Sequence, residues 1–415
     1  MGLTQSQNYQ RVSSVEGTHQ QSRNSRSEAD RAVPQRTLVV TEDYRTAFRK
    51  TLLATYFAQW ETSYLESDQG KRDIEDHIAG RMIEFETVVV PWICEVFDLY
   101  GKSVLEIGCG TGSATVPIAL RAASVRAYDI SMSSIEAAKE RARLLGVGKI
   151  DFRKLNAAWA KTEEGSEAFA RNEEKADVVL LIALLEHLTI SERMNALRAT
   201  WKVLEPNGIL VIYETPNRLA YYDWHTSFLP FFLALPDELA VLYANKSKRP
   251  YFSVDHQGDV VENLYRLGRG VSYHEFDLAI GLEKFTVAND GNSRSMQKHR
   301  QGMDHPTYDR ALRDIFRQYL PEVPLGFAKP SLDLVLMKRP ALGQGAEATS
   351  LPTEEQQESN LRLQIEEYER QLGSQTELTL RFLRLTAENL VSAVRDPRGF
   401  RRRLHGWWNR RILKR

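Results

Sequence analysis

Glu106, Gly108, Gly110 and Gly112 alternate with other residues directly after the short apolar run Val104–Ile107 and before the helix-like run Ser113–Leu120. Glycines at every second position let a backbone turn tightly and come close to a ligand. The helix start adds unpaired N–H groups and a positive dipole end, so the stretch suits the polar and anionic parts of a nucleotide-like ligand. Asp129 ends a second apolar run, Val125–Tyr128. A carboxylate at that place in a parallel sheet accepts hydrogen bonds from both hydroxyls of a ribose.

A second group of residues has the chemistry to move a proton. His187 lies in Leu185-Glu186-His187-Leu188, just past the apolar run Ala176–Ile182. Imidazole is the natural general base near neutral pH; the competing reading is a structural histidine bonded to the backbone. After the next strand come Arg218, Tyr222, Asp223 and His225. These suit a polar acceptor such as a sugar ring or catechol, or else a capping loop held by its own hydrogen bonds. His187, His225 and Asp223 are the catalytic candidates, with Arg218 and Tyr222 as substrate-binding candidates. Glu186, His187 and His225 together resemble a cation site, but as a trio they serve magnesium or manganese poorly without further oxygens. No metal is expected.

The elements that must position these residues alternate strand and helix from Gly101 onward, the signature of an α/β fold with helices on both faces of a parallel sheet. Strands are expected at 104–107, 125–129, near Lys149–Arg153, at Ala176–Ile182 and Ile209–Glu214, with two more near Lys284–Val287 and Leu332–Met337. Helices are expected from Thr41 to about Tyr100, the first starting at Thr41-Glu42-Asp43, and Phe228–Tyr243 reads as a lid helix.

A dinucleotide fingerprint would need its third glycine at position 113, which is Ser113. The Glu-x-Gly-x-Gly-x-Gly form instead resembles motif I of the class I S-adenosylmethionine-dependent methyltransferases. Leu185–Leu188 and the Leu204-Glu205-Pro206-Asn207-Gly208 turn are similar to the ubiquinone-biosynthesis O-methyltransferase group, over roughly residues 80–216. The resemblance implies a Rossmann-like, seven-stranded doubly wound sheet over 101–340, its last strand antiparallel. It also implies a helical cap over 38–100 and a substrate lid over 216–282. The cofactor would be S-adenosylmethionine, held by Glu106, Gly108, Gly110, Gly112, Asp129, Ile130, Asn156, Ala157 and Ala183. Asn156 stands where relatives often carry an acid against the adenine amino group.

The 415 residues carry 55 basic and 55 acidic side chains, unevenly placed. Residues 394–415 hold nine Lys/Arg and one acid, which leaves the remainder with 46 basic against 54 acidic and argues against nucleic acid as its partner. Two cysteines, Cys94 and Cys109, make neither a disulfide framework nor a zinc site. Residues 1–37 read as a disordered segment and 341–358 as a linker; 359–393 read as a weak coiled coil suited to self-association. Residues 394–415 read as a basic amphipathic tail for the membrane interface, with RNA or a partner protein as the other readings. This C-terminal helical appendage gives a layout similar to the bacterial O-antigen chain-terminating methyltransferases. The expectation is a cytoplasmic enzyme, peripheral on the inner face of the membrane, that O-methylates a glycan, lipid-linked or quinone-like acceptor. The alternative is a non-catalytic adapter that keeps the fold and works through its tail.

Overall fold

A computed structural model describes residues 38–249, 252–291, 296 and 305–340. The segments 1–37, 341–358, 359–393 and 394–415 singled out above lie outside the described residues. The apolar runs form one sheet: β1 (Ser103–Ile107), β2 (Ser124–Asp129), β3 (Ile150–Lys154), β4 (Ala176–Ile182), β5 (Leu204–Pro216), β6 (Phe285–Asn289) and β7 (Ser331–Lys338). Their order is β3-β2-β1-β4-β5-β7-β6. Strands β1 to β5 pair in parallel, while β7 runs antiparallel to both β5 and β6. The order reverses between β1 and β4, and the carboxyl ends of strands at such a switch point open a ligand crevice.

Strand β4 is apolar throughout because both of its faces are covered. Val179 and Leu181 join one core with Leu197 and Phe276, and Val178, Leu180 and Ile182 join another with Trp92 and Ile118. Truncating such a buried leucine to alanine typically costs about 2–5 kcal/mol. The helix Ile190–Val203 returns the chain from β4 to β5 and starts with a capping box between Thr189 and Glu192.

In the N-terminal cap, Thr41 caps the helix Glu42–Ala54 as its spacing predicts. The second helical run is less regular. Its α-helical segments, Asp68–Glu75, Arg81–Glu84 and Val90–Cys94, alternate with π-helical turns at Asp76–Gly80 and Phe85–Val89. Such turns are rare and concentrate at functional sites. The carbonyls of His77 and Ile78 in the first π turn accept from the fully buried Arg141, which also donates to the carbonyl of Thr111 in the glycine loop. One side chain thereby ties the cap to the ligand turn.

The lid corrects one expectation. Phe228–Tyr243 is not a single helix: Phe228 and Phe231 both adopt positive φ, Pro230 and Pro236 lack the N–H a helix needs, and helix resumes only at Asp237–Tyr243. Two further helices follow, Val260–Leu267 and Tyr273–Ala279. The lid has a small core of its own, built on Phe232, Ala240, Val254 and Leu264.

Candidate functional site

The three glycines of the turn after β1 all take positive φ (+81°, +52° and +79°). A Cβ at Gly108 would lie 3.1 Å from Leu184, and one at Gly112 the same distance from Ala138. At Gly110 nothing stands within 4 Å, which leaves that side open to a ligand. Asp129 supports the turn: its Oδ2 accepts from the Gly110 amide at 2.8 Å and its Oδ1 from the Ser131 amide at 2.8 Å. Each carboxylate oxygen keeps a second lone-pair direction for a ribose hydroxyl. Ile130, next to it, exposes 55% of its surface and offers an apolar face to a base. Ala183, at the end of β4, also holds positive φ (+46°) and faces the same cavity. Asn156 and Ala157 are exposed, and the Asn156 Oδ1 accepts from the Ala158 amide at 2.9 Å, so it is engaged in its own turn.

A cavity of about 300 Å³ lies between this turn and the cap. Glu106 forms part of its wall, fully buried, with its Oε2 accepting from Thr115 Oγ1 at 2.6 Å. Burial pushes its carboxyl up to about 7. The cap contributes residues that sequence reasoning missed: Tyr56, Asp76, His77 and Arg81. Arg81 pairs with Glu214, the residue of β5 that holds a left-handed conformation (φ +58°) with its amide donating to Asp333 Oδ1 at 3.0 Å. Ser113, buried in the cavity wall, has no hydrogen-bond partner for its Oγ among the described residues. An arginine beside a carboxylate is the complement of an amino acid's α-carboxylate and α-ammonium ends.

The second cluster centres on Glu186, fully buried in the turn Leu185–His187. The Nε2 atoms of His187 and His225 lie 3.7 Å and 3.5 Å from its Oε1, and that oxygen has no hydrogen-bond donor among the described residues. The other oxygen accepts from Thr215 Oγ1 at 3.3 Å. His187 Nδ1 donates to the carbonyl of Arg266 at 2.9 Å, which leaves the Nε2 lone pair as the basic site. Burial lowers both imidazoles below their ordinary value, so they are neutral near pH 7, and raises Glu186 to about 7. The His187 Nε2 lone pair and the Glu186 Oε1 face one another, an arrangement that a proton or a metal ion between them stabilises, and His225 Nε2 joins it as donor or acceptor according to its tautomer. The three ligand atoms lie within 4.8 Å of one another, and the unpartnered Oε1 and the His₂Glu donor set fit a divalent transition metal. The sequence reading had grouped these three residues, and the structure brings them together.

Three arginines, two of them fully buried, hold this cluster in shape. Arg193 donates to the carbonyls of Leu185, Arg269 and Gly270 and to Glu275. Arg269 pairs with Asp237 and the carbonyl of Phe232, and Arg266 with Glu192 and the carbonyl of His187. None was anticipated. Arg193 sits on the apolar face of its helix, in step with Ala196, Leu197 and Thr200, and that placement was the available signal.

Two expectations are corrected here. Asp223 is buried, and its oxygens accept from the amides of His225, Thr226 and Ser227 and from Ser227 Oγ. It folds the loop and has no lone pair directed at a reaction. The Tyr222 hydroxyl donates to the carbonyl of Phe228 at 2.6 Å, again a loop contact. Arg218 is half-buried with its Nε donating to the Gly270 carbonyl at 3.2 Å, on the lid side of the crevice.

The strand order and the glycine turn at the switch point define a Rossmann-like fold of the class I methyltransferase type. Residues 104–208 match the family model described as "Methyltransferase domain". Over these residues the chain thus carries a methyltransferase-like domain of the class I fold. Similar curated proteins include the ubiquinone biosynthesis O-methyltransferase of Pseudomonas putida, 33% identical over 135 residues, covering 32% of this chain and 53% of that protein. The protein of the same description from Stutzerimonas stutzeri is 34% identical over 136 residues, with 32% and 53% covered. The chain therefore spans about half the length of the curated relatives it matches. Among solved structures, a magnesium protoporphyrin IX methyltransferase from Synechocystis PCC 6803 with bound SAH is 19% identical, with 59% of this chain and 90% of that chain covered and a TM-score of 0.35.

Proposed function

We propose that the chain transfers a methyl group from S-adenosylmethionine to a hydroxyl of a small polar acceptor. The observation that carries this reading is the pairing of two features at the carboxyl ends of the strands: a glycine-lined cavity walled by Arg81 and Glu106, and the Glu186–His187–His225 cluster a few residues beyond Ala183. The cofactor, when bound, supplies an electrophilic methyl on its sulfonium. The chain's own residues do the rest. Asp129 and Ile130 receive the ribose and base, and Arg81 faces the amino-acid end. His187 accepts the acceptor's hydroxyl proton at Nε2, and Glu186 stabilises the imidazolium that forms. The lid excludes water from the displacement and orients the acceptor, with Arg218 at its edge. The O-methyltransferase description of the curated relatives supports an oxygen acceptor, and a glycan, lipid-linked or quinone-like molecule at a membrane surface is the finer reading.

A second reading of the same cluster is favoured by the unpartnered Glu186 oxygen. There, Glu186, His187 and His225 would hold a divalent ion, whose chemistry is to lower the pKa of a hydroxyl. Calorimetric titration with the cofactor, followed by radiolabel transfer to catechol and glycan acceptors, tests the first reading. Absence of saturable heat would leave only the adapter. Full activity after exhaustive chelation, with no metal found by mass spectrometry, rules out the second.

A further inference from the structure

The lid carries an exposed aromatic face for which the proposed methyl transfer has no use. Trp224, Phe228, Phe231, Leu242 and Tyr243 expose between 40% and 71% of their surface. The loop and the helix end that carry them lie side by side, with the Phe231 ring turned toward Tyr221 and Tyr308. Trp224 packs on Tyr222 with ring centroids 4.5 Å apart, and the Tyr222 hydroxyl holds the carbonyl of Phe228. Ser247 Oγ donates to the carbonyl of Ser227 at 2.6 Å, which brings the end of the helix Asp237–Tyr243 alongside the Phe228 loop. Phe228 and Phe231 keep their exposed rings in left-handed backbone (φ +56° and +55°), a conformation unfavourable to a bulky side chain. It is held by the Phe228 amide donating to Asp223 and the Phe231 amide donating to Tyr221. Backbone strain of this kind persists where it serves a function.

Positive charge borders the aromatic face. Lys246 and Lys248 are exposed and have no acidic partner among the described residues. Arg249 lies 5.0 Å over the Phe228 ring and donates to the carbonyls of His225 and Thr226, not to a carboxylate. At the other end of the helix, Asp237 is already paired with Arg269. Trp, Tyr and Phe rings with unpaired lysines beside them match the headgroup level of a bilayer containing anionic lipid.

We propose that the Trp224–Phe231 loop and the adjoining Tyr243–Arg249 segment dock on an anionic lipid bilayer, from which the acceptor is drawn. His225 lies within that loop, and its Nε2 is 3.5 Å from Glu186, so the docking segment contributes one residue to the proton-accepting cluster. The delivery of acceptor rests on the methyl-transfer reading; the docking does not. Among the described residues no helix is long and apolar enough to cross a membrane, so the contact is a surface one.

The test is flotation of the full chain with vesicles of phosphatidylcholine, alone or mixed with phosphatidylglycerol. Amide hydrogen exchange is followed on the same samples. Salt-sensitive binding to the mixed vesicles is expected, with new protection over residues 222–249. Trp224→Ser/Leu242→Ser should lower partitioning ~10-fold or more, and Lys246→Glu/Lys248→Glu should do so for the anionic vesicles. Both pairs are at exposed positions, and unchanged thermal melts show that the fold is kept. No vesicle binding, or protection confined to residues 394–415 with unaffected variants, overturns the proposal. So does a dimer broken by these substitutions in the absence of vesicle binding, which would assign the face to a second copy. Cofactor heat measured on the same variants separates this outcome from failure of the methyl-transfer reading.

Discussion

His187 is fixed by the Arg266 carbonyl at Nδ1 and stands beside Glu186 at Nε2, so its tautomer and its proton-accepting atom are both set. His187→Ala should therefore lower turnover by ~10²-fold or more while leaving the heat of cofactor binding in place. Equal loss of both would make the histidine a structural residue. Arg81 acts at the glycine-lined cavity. Losing a charge-assisted hydrogen bond to the cofactor's amino-acid end costs about 1.5–3 kcal/mol, so Arg81→Met should weaken cofactor binding roughly tenfold to a hundredfold by calorimetry. Unchanged affinity would mean that Arg81 serves only Glu214. Asp223 shows the limit of reading chemistry from residue type. An acid in a polar aromatic loop suits a base, yet the amides two to four residues ahead of it claim both of its oxygens.

At the scale of elements, the sheet was legible because its central strands are short apolar runs that end at a glycine, an acid or a turn, whereas β3 lies at the edge and is mostly polar. Strand β5 extends over Leu204–Pro216, taking in the Glu205–Gly208 turn that had been read as lying before it. The lid was not legible. Nothing in Phe228 or Phe231 announces positive φ, and Arg141, Arg193 and Arg269 hold inner positions that a charged residue is ordinarily read as avoiding. Their reward is several backbone carbonyls each, which can be counted only once the chain is folded. The strap Gly268-Arg269-Gly270 gives a prediction at this scale. A Cβ at Gly268 (φ +126°) would lie 2.5 Å from Thr226 Oγ1 and 3.1 Å from His225 Nδ1. Gly268→Ala should displace His225 and cut turnover roughly tenfold or more with cofactor affinity retained. Wild-type turnover in that variant would show that the position of His225 is immaterial.

Across the whole molecule, two fully buried carboxyls, Glu106 and Glu186, are pushed up by burial to about 7. Protonation therefore favours the folded state. Their contribution to stability is complete below the ordinary carboxyl value near 4.5 and is lost as pH rises through about 7. Each is worth at most ~3 kcal/mol. Thermal melts should show Tm falling between pH 5 and pH 8, and Glu106→Gln, which preserves the bond from Thr115, should flatten that fall. A Tm independent of pH in the parent chain would show that neither carboxyl holds its proton. The link from the Glu214 amide to Asp333 joins the crevice to the last strand, β7, which inserts between β5 and β6. A nascent polypeptide that has emerged only as far as residue 330 already has the glycine turn, both histidines and Arg81, but not the carboxylate that fixes Glu214. Competence for the methyl donor thus arrives late in synthesis, when β7 has emerged and can pair with β5.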